Sequence, residues 1–146
     1  MEEIRRAKNP LRIHIPEELV PALRALRARQ TDWRELIERE DVVHLFYGLG
    51  PAGFLTFDGR IIVDSSDWIP SEGTYEVEDT EPETAWKGFR IAAKNFHCPE
   101  LLQLLPTEPR EAIPCPVCHG HGMMKFKREN QPDMELICGC HGLGWI

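Results

Sequence analysis

The sequence predicts an α+β fold: a small antiparallel sheet flanked by helices and followed by a C-terminal zinc-bound hairpin. Apolar residues recur at helical spacing near both ends of residues 1–105, and short β-favouring runs separated by turn residues occupy the centre. Paired cysteines bracket residues 115–146. The chain has 146 residues, of which 42% are hydrophobic and 28% charged, enough for one domain with a small appendage.

Two amphipathic helices are predicted in the N-terminal part. The first spans residues 16–27, because a proline suits its first turn and three leucines recur at helical spacing. The leucines of this face are Leu19, Leu23 and Leu26. The second helix spans residues 33–39, with Thr31 or Asp32 as its candidate N-cap.

The centre of the chain is predicted to form the sheet. Residues 42–47 make a short apolar run that favours a strand. Residues 53–57 and 60–64 flank Asp58-Gly59, a pair that accepts the positive φ angles of a type I′ hairpin turn. Residues 74–78 alternate in polarity and are predicted as an edge strand.

Two helices and a linker are predicted to close the main domain. Residues 80–83 have the pattern of a capped helix start, and Pro99 begins a shorter helix that ends before Pro106. Residues 106–114 contain three prolines and have the composition of a semi-rigid linker. The predicted units are therefore an α+β domain at 1–105, the linker, and a zinc-binding hairpin at 115–146.

The formal net charge of −7 is concentrated in the middle of the chain. Residues 40–85 contain 11 acidic residues and one basic residue, a net of −10, whereas residues 1–39 and 86–146 carry +2 and +1. Such a stretch repels nucleic-acid backbones and attracts a basic protein, or it simply solvates a sheet surface. The candidate partner-binding carboxylates are Asp64, Asp67 and Glu72, which could alternatively bond to their own turn backbone.

Four of the five cysteines form two clusters that both continue as Cys-x-Gly-x-Gly. The candidate metal ligands are Cys115, Cys118, Cys138 and Cys140. Two such pairs can meet around one tetrahedral Zn²⁺ if strands at 122–127 and 134–137 form a hairpin with a polar turn at 128–133. The glycines are expected to let backbone amides turn toward the sulfurs.

The predicted zinc ion is structural. A segment of this size cannot bury enough apolar area to offset its chain entropy, so it needs a metal or another covalent staple. Four sulfur ligands also leave no coordination position for a reactive water. The side chains Met123, Met124 and Trp145 are expected to be exposed and to supply apolar contact with a protein partner.

Several alternatives remain open for the cysteines and their neighbours. One of His119, His121 and His141 could replace a cysteine as ligand, above all His141 if Cys138-x-Cys140 strains the turn, or all three could be exposed turn residues. Cys115 and Cys118 could instead form a redox dithiol, although the glycines that follow them discourage a helix. Cys98 is expected to be a buried cysteine near a helix start.

The segment from Cys115 to Gly122 resembles the CxxCxGxG unit of the DnaJ-type cysteine-rich zinc domain, and the second cluster resembles a shortened copy. In that family two units cooperate per zinc, which implies that the four clustered cysteines are the ligands. This chain departs from the family in having one residue between Cys138 and Cys140, two units where the chaperones have four, and no His-Pro-Asp signature. The resemblance implies a zinc module and a protein-binding surface.

The order of elements in residues 1–105 is similar to that of the SUKH superfamily, whose bacterial members include toxin-immunity proteins. We expect a cytoplasmic protein, because the chain contains neither a secretory signal nor a membrane-spanning apolar run. We also expect it to be non-enzymatic and to bind another protein, since the sequence has no Ser-His-Asp, phosphate-loop or dinucleotide-binding glycine pattern. One alternative is toxin immunity. The other is a nucleic-acid-associated zinc ribbon, suggested by Lys125, Lys127 and Arg128 beside the zinc site.

Overall fold

The computed structural model describes residues 4–45, 51–66 and 69–146. The described residues form three α-helices, two 3₁₀ helices and six strands. The helices are Val20–Arg29 (α1), Arg34–Glu40 (α2) and Glu83–Asn95 (α3), and the 3₁₀ helices are Glu17–Leu19 and Pro99–Leu104. The strands are Val42–His44 (β1), Ala52–Thr56 (β2), Ile61–Asp64 (β3), Thr74–Glu76 (β4), Met123–Arg128 (β5) and Gln131–Ile137 (β6).

Strands β1 to β4 form one antiparallel sheet in sequence order, and β5 and β6 form a separate two-stranded hairpin. The predicted α+β class is therefore confirmed. The N-terminal segment covers the outer edge of β4, since the Arg5 amide donates to the Thr74 carbonyl at 3.0 Å and the Glu76 amide donates to the Arg5 carbonyl at 2.9 Å. This pairing shields backbone groups that would otherwise be open to another chain.

Both faces of the four-stranded sheet are buried, because helices lie against each of them. On one face Leu55, Ile61 and Val63 pack with residues of α1, α3 and the second 3₁₀ helix. On the other face Phe54 and Ile62 pack with Leu36 and Ile37 of α2. The leucine face predicted for the first helix is confirmed, with Leu19, Leu23 and Leu26 at most 2% exposed.

The predicted helix caps are wrong in two places. Helix α2 has Trp33 at its N-cap position instead of Thr31 or Asp32, and the Trp33 backbone adopts the left-handed conformation with φ of 61°. Helix α3 begins after Pro82, so Thr80 is not its cap. Tertiary packing of Trp33 against Phe54, with ring centroids 5.7 Å apart, accompanies the first of these departures.

The predicted type I′ turn is also wrong. Only Gly59 among residues 57–59 has a positive φ, 89°, and the Gly59 amide donates to the Thr56 carbonyl at 3.1 Å. The connection is therefore a three-residue loop with a type I turn followed by a left-handed glycine. The Ile13 amide donates to the Gly59 carbonyl at 2.7 Å, so a segment far away in sequence helps to fix this turn.

In the C-terminal hairpin, β6 begins at Gln131, three residues earlier than predicted, so the turn consists of Glu129 and Asn130. Asn130 has a φ of 59°, which asparagine tolerates. A register shift between Phe126 and Arg128 accommodates the tighter turn. The end of the predicted first strand, Phe46 and Tyr47, lies outside the described residues.

Candidate metal centre

The hairpin brings the two cysteine clusters together at its base. Strand β5 begins directly after the first cluster, and β6 ends at Ile137, directly before Cys138. Met123 is paired with Ile137, so the two clusters leave the hairpin side by side. The segments that flank the two clusters are also paired, because Ile113 and Ile146 exchange backbone hydrogen bonds of 3.1 and 2.9 Å.

The four cysteine sulfurs form a compact, buried group. All four Sγ atoms lie within 4.8 Å of one another, and each cysteine is at most 8% exposed. The Sγ atoms of Cys115 and Cys138 are 3.7 Å apart, and those of Cys118 and Cys140 are 3.8 Å apart. A tetrahedral site with metal–sulfur bonds of about 2.3 Å has edges of about 3.8 Å. The arrangement can therefore hold a metal ion.

The two clusters have nearly the same backbone geometry. The Gly122 amide donates to Cys118 Sγ at 3.2 Å, and the Gly144 amide donates to Cys140 Sγ at 3.3 Å. Each cluster also bonds to the other, because the Cys138 amide donates to the Gly122 carbonyl at 3.1 Å and the Cys115 amide to the Gly144 carbonyl at 2.9 Å. The expected glycine amides are thus confirmed as partners of the sulfurs.

This approximate twofold relation accommodates the shorter second cluster. The residue missing between Cys138 and Cys140 lies before the repeated Cys-x-Gly-x-Gly segment, so the amide-to-sulfur hydrogen bond is preserved. His119 and His141 occupy equivalent positions and have similar φ angles of 54° and 61°. Both histidines are exposed, and among the described residues the metal-competent group contains cysteines alone.

The surroundings of the sulfurs shift the pKa values of Cys115 and Cys138 in opposite directions. Hydrogen bonds from the backbone of Cys118 and Val117 lower the pKa of the Cys115 thiol to about 7. The Cys140 backbone lowers the pKa of Cys138, but burial and hydrogen bonds with the three other sulfurs outweigh it and raise that pKa to about 12.

Arg90, in the middle of α3, attaches the metal centre to the main domain. Its Nε donates to the Gly142 carbonyl at 2.6 Å and its Nη2 donates to the Leu143 carbonyl at 3.2 Å. Burial lowers the pKa of Arg90, whereas the nearby sulfurs of Cys140 and Cys118 raise it. Sequence reasoning missed Arg90, because nothing in a single arginine of an amphipathic helix marks it as a neighbour of cysteines far along the chain.

The predicted apolar contact residues are less exposed than expected. Met123, Met124 and Trp145 are half-buried, and Met124 packs against the cysteine cluster. The prediction that they are exposed is wrong: Met123 lines a cleft together with residues of α3, and Trp145 forms a backbone bridge with Pro114. The large apolar side chains that the tail does expose include Val117, Phe126 and Leu136.

The structure describes two of the three candidate partner-binding carboxylates. Asp64 is half-buried and accepts a hydrogen bond from the Ser66 amide at 2.9 Å, as the turn interpretation expected. Glu72 is exposed, and Asp67 lies outside the described residues. Glu72 has a neighbour that the sequence did not indicate: Glu72 and Glu81 both act on Tyr75, and together with burial they raise the pKa of its hydroxyl.

Arginines from the N-terminal segment neutralise part of the acidic centre. Among the described residues of 40–85, four carboxylates form ion pairs with arginines from residues 1–39. These carboxylates are Glu40, Asp41, Asp58 and Glu76. The linear separation of charge in the sequence therefore overstates the acidity of the folded surface.

Comparison of the chain with protein-family models, with curated proteins and with solved structures finds no match. None of the helices formed by the described residues has both the length and the apolar character needed to cross a bilayer. The geometry of the cysteine group is therefore the basis on which a function is proposed.

Proposed function

We propose that residues 115–146 hold one structural zinc ion and that the protein acts without catalysis, by binding another protein. The proposed ligands are the sulfurs of Cys115, Cys118, Cys138 and Cys140. The observation that carries the proposal is their buried cluster, in which all Sγ atoms lie within 4.8 Å of one another and two receive amide hydrogen bonds. Tetrahedral sulfur coordination is typical of zinc and of iron, and the resemblance to the CxxCxGxG unit favours zinc.

A structural role agrees with the geometry better than a catalytic or redox role. Four thiolates fill a tetrahedral site, which leaves no position for water. Sulfur contacts of 3.7 and 3.8 Å join Cys115 to Cys138 and Cys118 to Cys140, so both clusters contribute to one group. A redox dithiol would have to be reached by a partner disulfide, whereas these thiols are buried.

The tail presents an apolar surface suited to a protein partner. Met124 is paired with Leu136 and Phe126 with Met134, so these four side chains lie on one face of the hairpin. We call them the outer hairpin face. Phe126 is 39% and Leu136 is 47% exposed, so this face presents large apolar side chains to solvent. In this proposal the metal fixes the hairpin, and the outer hairpin face replaces the originally expected Met123 and Trp145 as the apolar contact.

The acidic side chains would orient a basic partner. Glu72 and Glu81 are exposed, and the charges of both act on Tyr75. Asp64 and Asp67 belong to the same acidic stretch of the sequence. Exposed charges of this kind change association rates and their salt dependence more than they change the affinity. The acidic contribution to binding is therefore expected to weaken as salt is added.

The metal proposal is tested by measuring zinc and iron per chain in full-length protein purified under reducing conditions. One zinc per chain is expected. Cys118→Ser and Cys140→Ser should lose it, whereas Cys98→Ser should retain it, because Cys98 is an equally buried cysteine outside the cluster. Metal-free wild-type protein, or Cys118→Ser protein with the wild-type zinc content, would refute the proposal.

The partner proposal is tested by capturing proteins from an extract of the native cell with zinc-loaded chain. We expect a protein that binds the wild type and fails to bind a Phe126→Ser/Leu136→Ser variant. Val117→Ser is the control, because Val117 is exposed and apolar but lies outside the outer hairpin face.

A second comparison tests the acidic side chains. The Asp64→Asn/Asp67→Asn/Glu72→Gln variant removes the candidate partner-binding carboxylates, and Glu108→Gln/Glu111→Gln is its control. Equal capture by all variants would contradict the proposal, and a basic nuclease as the captured protein would favour the immunity hypothesis.

A further inference from the structure

A cleft of about 440 Å³ lies between the main domain and the inner face of the hairpin. Its walls come from α3, from the second 3₁₀ helix and from both strands of the hairpin. This volume is within the range of about 300–1,000 Å³ that is usual for small-molecule sites. The cleft exists only when the hairpin is in place, so it depends on the metal centre of the proposed function.

The surface of the cleft combines apolar side chains with a positively charged rim. The apolar lining residues are Ala93, Pro99, Leu102 and Met123. The charged groups that line the cleft are Arg90, Lys94, Lys125 and Glu135, three cations and one anion. His121 is also part of the lining. In a chain with a formal charge of −7, this excess of cations is a local reversal of sign.

The ion pairs at the rim indicate where an anion would bind. Lys94 Nζ is in close contact with Glu135 Oε2 across the cleft, and these side chains are 48% and 30% exposed. Lys125 Nζ lies 3.5 Å from Asp133 Oδ2 at a more exposed position. Arg90 is held by two carbonyls on the other side. Glu135 thus occupies the position at which an external anion would meet Lys94.

We propose that the cleft binds a small molecule that joins an apolar body to an anionic group. The apolar body would cover Leu102 and Met123, and the anionic group would displace Glu135 from Lys94. Apolar burial supplies most of the affinity of such sites, while a few polar groups select the charge. This inference rests on the proposed function only in requiring the metal-loaded hairpin.

The test uses two fluorescent dyes that differ in one group, on zinc-loaded full-length protein. 8-Anilinonaphthalene-1-sulfonate is an apolar anion, and N-phenyl-1-naphthylamine is the same body without the sulfonate. We expect the anionic dye to bind more tightly. Lys94→Gln should weaken its binding roughly fivefold and Glu135→Gln should strengthen it by a similar factor, with the neutral dye affected little by either change.

The opposite signs distinguish a binding site from a structural ion pair. Both variants delete the same Lys94–Glu135 pair, so a purely structural effect would change dye binding in the same direction in both. Lys127→Gln is the matched control, because Lys127 is an exposed lysine of β5 outside the cleft lining. Equal effects of Lys94→Gln and Lys127→Gln, shifts of the same sign in the two cleft variants, or equal binding of both dyes would overturn the inference. Zinc content, measured on the same samples, shows separately whether the metal proposal holds.

Discussion

At the scale of single residues, the metal centre depends on glycines that no other residue can replace without strain. Gly144 has a φ of 88°, and a methyl group added there would lie 2.6 Å from the Gly120 carbonyl oxygen. Its amide is also the donor to Cys140 Sγ. Any side chain at this position would therefore move either the sulfur or the opposite cluster.

We predict that Gly144→Ala lowers the zinc affinity about tenfold or more, since the left-handed conformation alone costs an alanine about 1–2 kcal/mol. Gly139→Ala is the matched control: it lies between the second pair of cysteines, has no left-handed φ, and has no described atom within 4 Å of the added methyl group. Its affinity should stay close to the wild type. Competition with a chromophoric chelator measures both, and equal losses in the two variants would contradict the role assigned to Gly144.

The thiol pKa values predict how metal affinity varies with pH. Zinc binds thiolates, so each protonated cysteine must release its proton on binding. The Cys138 thiol, with a pKa raised to about 12, holds its proton throughout the neutral range. Cys115, with a pKa lowered to about 7, gains a proton as the pH falls below that value.

The affinity should therefore decrease as the pH falls, and it should decrease more steeply below about pH 7, by roughly a further tenfold per pH unit for the additional proton. Chelator competition at several pH values gives the slope, and calorimetry in buffers of different ionisation enthalpy counts the released protons. A pH-independent affinity, or binding without proton release, would mean that the sulfurs are not the ligands.

The cysteine group could be predicted from the sequence because the two cysteines of each pair are close neighbours in the chain. The spacing and the following glycines determine the local turn, whichever protein carries them. The role of Arg90 could not be predicted, because its contact with Gly142 spans 52 residues and is made by the tertiary fold. The same reason explains the error at Met123 and Met124, whose burial depends on α3 and on the cluster.

At the scale of elements, α3 links the two parts of the molecule. Phe89 on its core face is fully buried in the main domain, while Arg90, the next residue, bonds to the second cysteine cluster. Trp86 adds an edge-to-face contact with His141, their ring centroids 6.3 Å apart. The helix therefore fixes the position of the metal centre as well as that of the sheet.

We predict that Arg90→Ala loosens the docking of the tail without removing the metal. Hydrogen bonds to a charged donor contribute about 1.5–3 kcal/mol, which corresponds to roughly thirtyfold faster opening of the contact. Amide hydrogen exchange of residues 141–144 would report it, with zinc content unchanged at one per chain. Lys87→Ala is the control, since Lys87 is an exposed cation on the same helix. Unchanged exchange in Arg90→Ala would show that these hydrogen bonds do not hold the tail.

The sequence predicted which helices and strands form better than it predicted the residues at which they begin and end. Helix α1 followed from its leucine spacing, because burial of one helical face is a periodic, local property. The predicted turn after β2 was wrong because the Ile13 amide, far away in sequence, bonds to the Gly59 carbonyl. The predicted start of β6 was wrong because Pro132 and Asp133 are tolerated in a two-stranded hairpin with open edges. Neither the distant contact nor the open edge is visible in the sequence window that suggests the element.

At the scale of the whole molecule, the buried side chains fall into separate groups. Two groups come from residues 4–104 and cover the two faces of the four-stranded sheet, whereas the third consists of the four cysteines with Met124. The tail thus has little apolar core of its own, and its contacts with the main domain include the hydrogen bonds of Arg90 and the Lys94–Glu135 pair. Its order should depend on the metal, while that of the main domain should not.

This separation predicts the outcome of metal removal. Treatment of the full-length protein with a strong chelator under reducing conditions should abolish the protection of backbone amides in residues 115–146, because the energy of structural zinc sites, about 10–16 kcal/mol in small peptides, greatly exceeds what the remaining contacts of the tail can supply. Amides of β2 and β3 should keep their protection, since their side chains are buried among helices that do not involve the tail. Hydrogen exchange measured by mass spectrometry resolves the two regions in one experiment. Loss of protection in both would show that the sheet depends on the metal centre, and persistence of protection in the tail would show that the sulfur cluster keeps its shape without a cation.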